Sequence, residues 1–466
     1  METGFKTYTI AELSELIKSK KVSPVELVRE TLDDIKGKDG LLNSFITVME
    51  EQALEAAHLA EQQMMNSDIK SPLHGIPIGV KDMIDTKDCR TTMGSSLYEN
   101  FCPIEDATVV TRLRDAGAVV IGKLNTHEFA YGTTGDISHF GPVHNPYDLT
   151  KITGGSSSGS GAAIAAGLCY GALGTDTGGS IRIPSSFCNV TGMKPTFGLV
   201  SANGIYPLSK TMDHPGPMTK TVHDNALMLN ALAGFDLNYQ FSVRRSEEDY
   251  TSRMAEGLAG AIIGVPTSFF FDGIDDEIKE AIDLVLSVYR SLGAEIRPID
   301  LPNLEKYMHA HRVILQSEAY SVHKEHLEKY TDTWKSEVIE RLLASSNATA
   351  FEYIEAQTLK REAMAQFADV FKEIDVLITP VTSVMPTTIG ERNISINGET
   401  VHVFSMLNKL SGLANLTGLP AMSVPSGFSK DGMPIGFQLI GKAFDESNLY
   451  RFAYAYEQEL LSDVGS

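Results

Sequence analysis

The chain has 466 residues and a formal net charge of −21, which results from 39 basic and 60 acidic residues. Hydrophobic residues make up 42% of the chain and charged residues 21%, which is typical of a folded globular protein and not of a disordered one. Because a strongly acidic chain is repelled by polyanions, we expect no direct binding to nucleic acid or to an anionic membrane.

The cysteines and the hydropathy pattern restrict the compartment. The four cysteines, at positions 89, 102, 169 and 188, show no CxxC pairing, so neither a disulfide framework nor a zinc site is expected. The N-terminus lacks the basic stretch and apolar core of a secretory signal, and no run of eighteen or more apolar residues predicts a membrane span. We therefore expect a cytoplasmic protein without a metal or cofactor.

The first 65 or so residues are predicted to be helical. Thr9 is the first residue of the segment TIAEL, and Ser23-Pro24-Val25-Glu26 has the pattern of a capping box with proline at the first helical position. The segment EEQALEAAHLAEQQMM continues as an amphipathic helix. After it, HGIPIGVKD reads as a short buried strand, and DATVVTRLRDAGAVVIGKLN as a helix, a glycine turn and another strand. This alternation predicts an α/β fold.

The segment from about residue 236 to 373 is more helical. Charged helical patterns dominate it, although IIGVP and AEIRPIDLP resemble strands. Short apolar strands return in DVLITPVT, GLPAMSVPSG and PIGFQLIG, which predicts that the C-terminal part joins the same sheet. We therefore predict one domain over residues 1–466, interrupted by the helical segment.

Two glycine-serine clusters lie close together in KITGGSSSGSGAAIAAGLCYGALGTDTGGSIRIPSS, residues 151–186. A flexible linker is the ordinary interpretation of such tracts. The apolar segment AAIAAGLCYGALG between the clusters contradicts that interpretation, because it is suited to a buried position.

The second cluster has the composition of an anion-binding turn. Gly178 and Gly179 allow the backbone to turn sharply and to direct successive N–H groups toward one point, with the Ser180 hydroxyl beside them. This combination suits a serine nucleophile next to donors that stabilise a tetrahedral intermediate. A plain Gly-Gly turn followed by a helix-capping serine explains the motif equally well.

The first cluster, GGSSSGSG, resembles two other motifs. A phosphate-binding loop is disfavoured because no Gly-Lys-Ser/Thr follows. Residues 155–159 also match the G-x-S-x-G pattern of α/β-hydrolases, but such a match arises easily in a serine-glycine tract, and the late histidines, such as His402, sit in no recognisable context.

Lys81 ends the apolar run GIPIGVK. Such a lysine commonly reaches solvent at the end of a strand. Alternatively it is kept neutral as a general base, which requires its pKa to fall by roughly 3 units, within the range that desolvation produces.

Taken in order, GVKD, GGSSSGSGAAIAAG and GTDTGGSIRIPSSFCNVTGMKPT resemble the amidase signature family of serine hydrolases. The likeness extends over nearly the whole chain and is weakest between about residues 236 and 373. It implies a large mixed twisted β-sheet sandwiched between layers of helices. It also implies cleavage of a carbon–nitrogen amide bond through an acyl-enzyme.

Carried over to this chain, the resemblance makes Ser180 the acylated nucleophile, Ser156 a bridging serine next to a cis peptide bond, and Lys81 the terminal base. The backbone N–H groups of Thr177, Gly178, Gly179 and Ser180 would form the oxyanion hole. Asp176 and Arg182, which flank this loop, are expected to brace it as an ion pair.

The resemblance implies two kinds of activity. One is a free-standing amidase acting on a small amide, carbamate or urea-like substrate. The alternative is the glutaminase subunit of a tRNA-dependent amidotransferase. The first is favoured here because the acidic residue expected to hold the glutamine ammonium falls on Asn408.

Met83, Phe129, Tyr131 and Asn408 are the candidate substrate-binding residues, although each also suits a plain core position. The expected partner is a small-molecule amide, and a homodimer is possible.

Overall fold

The computed structural model of the chain describes residues 4–329, 333–396 and 398–464. Its helices are α1 Ile10–Lys18, α2 Pro24–Leu42, α3 Glu50–Met65, α4 Thr108–Asp115, α5 Ser158–Ala165, α6 Arg182–Phe187, α7 Val222–Leu232, α8 Asp276–Ser291, α9 Leu304–Lys329, α10 Ser336–Ala344, α11 Ala350–Val370, α12 Val403–Asn408, α13 Gly412–Thr417 and α14 Glu446–Val464. Its strands are β1 Phe45–Val48, β2 Pro77–Lys81, β3 Val119–Leu124, β4 His144–Asn145, β5 Asp148–Ile152, β6 Gly171–Asp176, β7 Thr191–Lys194, β8 His214–Thr219, β9 Ile262–Pro266, β10 Glu295–Ile299, β11 Val376–Pro380, β12 Asn393–Ile396, β13 Glu399–His402, β14 Ala421–Phe428 and β15 Pro434–Gly441.

The N-terminal helices begin where the sequence predicts. Thr9 and Glu12 form a reciprocal capping box at the start of α1, so each satisfies a backbone N–H that the helix leaves unpaired. Ser23 and Glu26 do the same for α2, with Pro24 at its first position. Helix α3 covers the predicted amphipathic segment.

The strands form one mixed sheet of eleven strands in the order β1-β3-β2-β6-β8-β7-β14-β15-β11-β9-β10. Strand β2 runs parallel to both β3 and β6, whereas β8, β7, β14 and β15 pair with their neighbours in antiparallel fashion. The predicted α/β fold with a large mixed sheet and helices is confirmed. Two small two-stranded sheets, β4-β5 and β12-β13, lie outside it and were not predicted.

The segment 236–373 contributes both helices and sheet. Helices α8, α9, α10 and α11 fall within it, as the charged helical patterns predict. The IIGVP and AEIRP segments become β9 and β10, which pair in parallel and form one end of the sheet. The C-terminal strands β11, β14 and β15 join the same sheet, as predicted.

The parallel pairing of β2 and β6 determines where the two glycine-serine clusters meet. Because parallel neighbours end at the same edge of a sheet, Lys81 at the end of β2 and Asp176 at the end of β6 share one edge. Helix α5, which follows the first cluster, packs against β2, β3 and β6. Across the described residues, no helix is long and apolar enough to cross a membrane.

Candidate active site

Lys81 is fully buried, and its amine faces two hydroxyl groups. Its Nζ atom lies 2.7 Å from Ser156 Oγ and 2.7 Å from Thr175 Oγ1. Since the lysine sits on a strand within the sheet, the backbone fixes the direction of its side chain. The amine therefore lies within proton-transfer distance of the predicted bridging serine.

Burial lowers the pKa of Lys81 to about 7, because the charged ammonium loses its hydration. The carboxylates of Asp176 and Asp213 oppose this effect, since their negative charge favours the ammonium form. A lysine with such a pKa is substantially uncharged at neutral pH, and a general base is most effective when its pKa lies near the working pH.

Ser156 follows a cis peptide bond, Gly155–Ser156, as the resemblance implies. Its carbonyl oxygen accepts hydrogen bonds from the His127 N–H at 3.2 Å and from Thr126 Oγ1 at 3.0 Å. A Cβ atom on Gly155 would stand 2.7 Å from the Gly135 nitrogen, so this position has room only for glycine. The loop before α5 therefore holds the Ser156 hydroxyl toward Lys81.

Ser180 lies in the loop between β6 and α6 and is almost fully buried. Its carbonyl oxygen accepts a hydrogen bond from the Ser157 N–H at 3.1 Å, which ties the second glycine-serine cluster to the first. Gly179 has a φ of +121°, and a Cβ atom there would stand 2.2 Å from Ser411 Oγ. The turn that precedes Ser180 thus depends on glycine.

One of the four predicted oxyanion donors is already engaged. The N–H of Gly179 donates to Asp176 Oδ1 at 2.8 Å, so in this conformation it points at the carboxylate. This corrects the expectation of four converging donors and leaves Thr177, Gly178 and Ser180 as candidates. The aspartate takes this N–H because it must accept several hydrogen bonds to remain ionised in a buried position.

Asp176 and Arg182 form the predicted buried ion pair, with Arg182 Nη2 2.9 Å from Asp176 Oδ1. Arg182 also donates to Gln438 Oε1 at 2.9 Å and to Asn415 Oδ1 at 2.7 Å. Burial by itself would raise the pKa of Asp176, but the Arg182 guanidinium and further donors hold it well below its usual range. The pair braces the loop that carries Ser180.

A cavity of about 280 Å³ lies near this loop, and Lys81, Ser156 and Ser180 are not among its lining residues. Tyr131 and Asn408, two of the predicted substrate-binding residues, line it. Its remaining lining combines apolar and charged side chains, namely Phe269, Glu305, Met308, His309, His311, Arg312, Leu315, Gln316, Phe404, Ser405 and Lys409. His311 joins the cavity to the loop, because its Nε2 atom lies 3.0 Å from the carbonyl oxygen of Thr177.

The other two predicted substrate-binding residues lie in the packed core. Met83 and Phe129 are fully buried and do not line this cavity, although Tyr131 of the same hydrophobic cluster does. Phe129 packs against Trp334, with ring centroids 4.5 Å apart, and against His323 at 4.7 Å. Their large apolar side chains are thus used for packing, the alternative that the sequence left open.

Sequence reasoning missed three residues of the site: Thr175, His311 and Ser411. Thr175 contacts the Lys81 amine and lies within the motif GTDTGGSIRIP, but the sequence assigns it no role. Ser411 Oγ donates to the Gly178 carbonyl oxygen at 2.6 Å, and His311 contacts Thr177 from 134 positions away. No local pattern connects such distant residues to the loop.

A buried amine with a pKa near 7, a serine hydroxyl in contact with it and a second serine in a glycine turn are the groups that activation of a hydroxyl nucleophile requires. Comparison with known proteins gives the class. The chain belongs to the Amidase family, whose model matches residues 26–450, and it is therefore an amidase signature enzyme acting on carbon–nitrogen bonds.

Individual relatives differ in kind. The chain is 39% identical to the A subunit of glutamyl-tRNA(Gln) amidotransferase from Geobacter sp. (strain M21) over 475 residues, with 97% of each chain covered. It is 33% identical to a structure from a vestigial protein complex described in connection with the origins of an s-triazine catabolic enzyme, with a TM-score of 0.93 and coverage of 97% and 98%. A structure described as an amidase is 30% identical, with a TM-score of 0.88 and coverage of 97% and 100%.

Proposed function

We propose that this protein hydrolyses the carbon–nitrogen bond of a small amide, carbamate or urea-like substrate, with Ser180 as nucleophile, Ser156 as bridge and Lys81 as base. One observation carries the proposal. The Lys81 amine is buried, has a pKa of about 7 and lies 2.7 Å from the Ser156 hydroxyl. Among the described residues no carboxylate forms an ion pair with this amine, and its two closest partners are the hydroxyls of Ser156 and Thr175.

The proposed reaction proceeds by a proton relay. Neutral Lys81 takes the proton of Ser156 as Ser156 takes that of Ser180, and the Ser180 oxygen bonds to the substrate carbonyl carbon. The relay then returns a proton to the substrate nitrogen, and the carbon–nitrogen bond breaks to leave an ester on Ser180. Water, deprotonated along the same path, attacks the ester and restores both serines. Each N–H that binds the oxyanion would contribute about 2.7–4 kcal/mol.

The cavity supports a substrate of limited size. A substrate that reaches Ser180 through this cavity would have a volume of about 280 Å³ available there, which suits a small molecule. Asn408 presents a neutral amide to this cavity. Because a buried α-ammonium group requires a negative partner, Asn408 favours a substrate without a free α-amino group.

A second candidate is the glutaminase subunit of a tRNA-dependent amidotransferase. The 39% identity to relatives named as amidotransferase A subunits over nearly their whole length supports it, and more strongly than the comparisons support a free-standing amidase. Glu305, which lines the cavity, also offers a carboxylate for an α-ammonium group. The net charge of −21 makes a companion subunit necessary for any contact with tRNA.

Labelling with a fluorophosphonate probe tests the shared chemistry, because the probe reacts with an activated serine whatever the substrate. The purified chain should be labelled at Ser180, and Ser180→Ala should abolish both labelling and turnover. Ser160→Ala is the matched control, since this buried hydroxyl donates to the Leu173 carbonyl and is not part of the relay. Labelling of Ser180→Ala at another serine would overturn the assignment.

A substrate panel separates the two candidates. The isolated protein should release ammonia or an amine from simple amides or carbamates if it is free-standing. Release from glutamine alone, and only with the other subunits of an amidotransferase present, would instead establish the second candidate. Light scattering of the same preparation tests the predicted homodimer.

A further inference from the structure

His311, on helix α9, contacts the nucleophile loop and is also one of the residues that line the cavity. The imidazole is buried, and its Nε2 atom lies 3.0 Å from the carbonyl oxygen of Thr177. The His311 ring also lies close to the next residue, Gly178. A Cβ atom added to Gly178 would be 3.2 Å from the His311 Cε1 atom. The contact therefore falls on the peptide unit that joins Thr177 to Gly178.

The direction of this hydrogen bond determines the protonation of the ring. A carbonyl oxygen only accepts, so Nε2 must carry the proton. Burial lowers the pKa of His311 to about 4, so the ring is neutral near pH 7 and Nδ1 carries the lone pair. His311 is thus a fixed donor, and its protonation does not change over the range in which Lys81 titrates.

A peptide unit is planar, and in its trans form the N–H points opposite to the C=O. The cis bond among the described residues is Gly155–Ser156, so Thr177–Gly178 is trans. Holding the Thr177 carbonyl toward His311 therefore holds the Gly178 N–H on the opposite side of the loop. Donation to the carbonyl also polarises the same peptide unit and strengthens its N–H as a donor.

The neighbouring peptide unit follows the same logic. Ser411 Oγ donates to the Gly178 carbonyl at 2.6 Å, and the N–H of that unit, on Gly179, donates to Asp176 on the other side. Two successive carbonyls are thus held by side chains from the C-terminal half of the chain. The Gly179 N–H donates to a protein acceptor, the Asp176 carboxylate. For the Gly178 N–H, the acceptor that we assign is the oxyanion of the substrate.

We propose that His311 is a positioning residue for this reaction, which aims the Gly178 N–H at the oxyanion through its hydrogen bond to the Thr177 carbonyl. The inference rests on the proposed function, because it presupposes that Ser180 forms a tetrahedral intermediate next to this loop. It adds a residue from the helical segment 236–373, outside the motifs that carry the family resemblance. The role is one of orientation, since His311 exchanges no proton with substrate.

Two substitutions of similar size and polarity separate this role from a packing role. In His311→Gln the side-chain amide nitrogen reaches about as far as histidine Nε2, so it still donates to Thr177. In His311→Asn the amide stops short of that carbonyl. The control is His58→Gln, because His58 is exposed on helix α3 and does not line the cavity.

Fluorophosphonate labelling of Ser180 measures the effect without knowledge of the substrate. The rate of covalent reaction in His311→Asn should fall by about 10- to 100-fold, whereas His311→Gln and His58→Gln should stay within about threefold of the parent. The half-saturating probe concentration should change little in all three variants, because the donor acts on the transition state. Thermal unfolding would show that the Gln and Asn variants are folded alike.

Two results overturn the inference. Equal labelling rates for His311→Asn and His311→Gln would mean that the hydrogen bond to Thr177 does not affect the chemistry. A loss confined to the half-saturating concentration would assign His311 to probe binding instead. If the parent protein were not labelled at Ser180 at all, the proposed function would fail first, so the two failures are distinguishable.

Discussion

Replacing Lys81 by methionine is expected to stabilise the folded chain even though it removes the proposed base. The pKa of Lys81 falls from 10.5 to about 7 on folding because the amine is desolvated. At 1.36 kcal/mol per unit, this shift corresponds to a cost of about 5 kcal/mol when the folded protein must hold the proton, and of about 4 kcal/mol at pH 7. Methionine has no proton to lose and keeps a similar volume.

The pH dependence of this effect follows from proton binding. Between pH 7 and 10.5 the unfolded chain holds the Lys81 proton and the folded chain does not, so the stability of the parent rises with pH through this window. The cost that methionine relieves therefore falls from about 4 kcal/mol at pH 7 to about 2 kcal/mol at pH 9. Losing the contacts with Ser156 and Thr175 subtracts roughly 1 kcal/mol each at both pH values.

Urea denaturation of the parent and Lys81→Met at pH 7, 8 and 9 measures the difference, with Lys87→Met as control because Lys87 is exposed. We expect the variant to be more stable by about 2 kcal/mol at pH 7 and to lose that advantage by pH 9. A stability difference that did not change with pH would refute the reasoning, since it would mean that Lys81 titrates as an ordinary lysine.

Three further predictions concern the same loop. The rate of Ser180 labelling should fall about tenfold per pH unit below pH 7, because only the neutral base accepts a proton; a rate that is flat from pH 5 to 8 would contradict this. Gly179→Ala should slow labelling strongly in a folded protein, since the new Cβ meets the Ser411 hydroxyl, and circular dichroism checks the fold. Arg182→Met should destabilise the chain by about 3–5 kcal/mol in urea denaturation, because it leaves Asp176 buried without its partner, and Asp176→Asn added to it should recover part of that loss.

The elements that the sequence predicts well are those set by short-range signals. Thr9 and Ser23 begin helices because their caps need only a glutamate three residues on. Lys81 is found from the apolar strand that it ends, and Ser156 and Ser180 from glycines within a few positions. Strand β1 has only four residues and no such signal. It forms by pairing with β3, and because β3 lies far along the chain, the local sequence does not predict this strand.

Substrate-binding residues are harder to predict, because an aromatic or apolar side chain suits a cavity wall and a core equally. Tyr131 lines the cavity, whereas Phe129, two positions before it, is buried against Trp334. Phe129 has a φ of +52°, and this turn sends the two neighbouring rings to different places. That backbone conformation depends on tertiary contacts, which cannot be derived from the local amino-acid sequence.

The residues proposed to transfer protons and the residues that fix the nucleophile loop come from different halves of the chain, and the fold explains why. The groups proposed to move protons lie between positions 81 and 180 of the sequence. They are close in space because the parallel strands β2 and β6 end at the same edge of the sheet. The groups that fix the loop, His311, Ser411 and Gln438, come from later elements that pack over this edge. A helical segment that shapes the cavity therefore also contacts the carbonyls of the nucleophile loop. A substitution on the loop-facing side of α9 is then expected to change the rate of acylation as well as the choice of substrate.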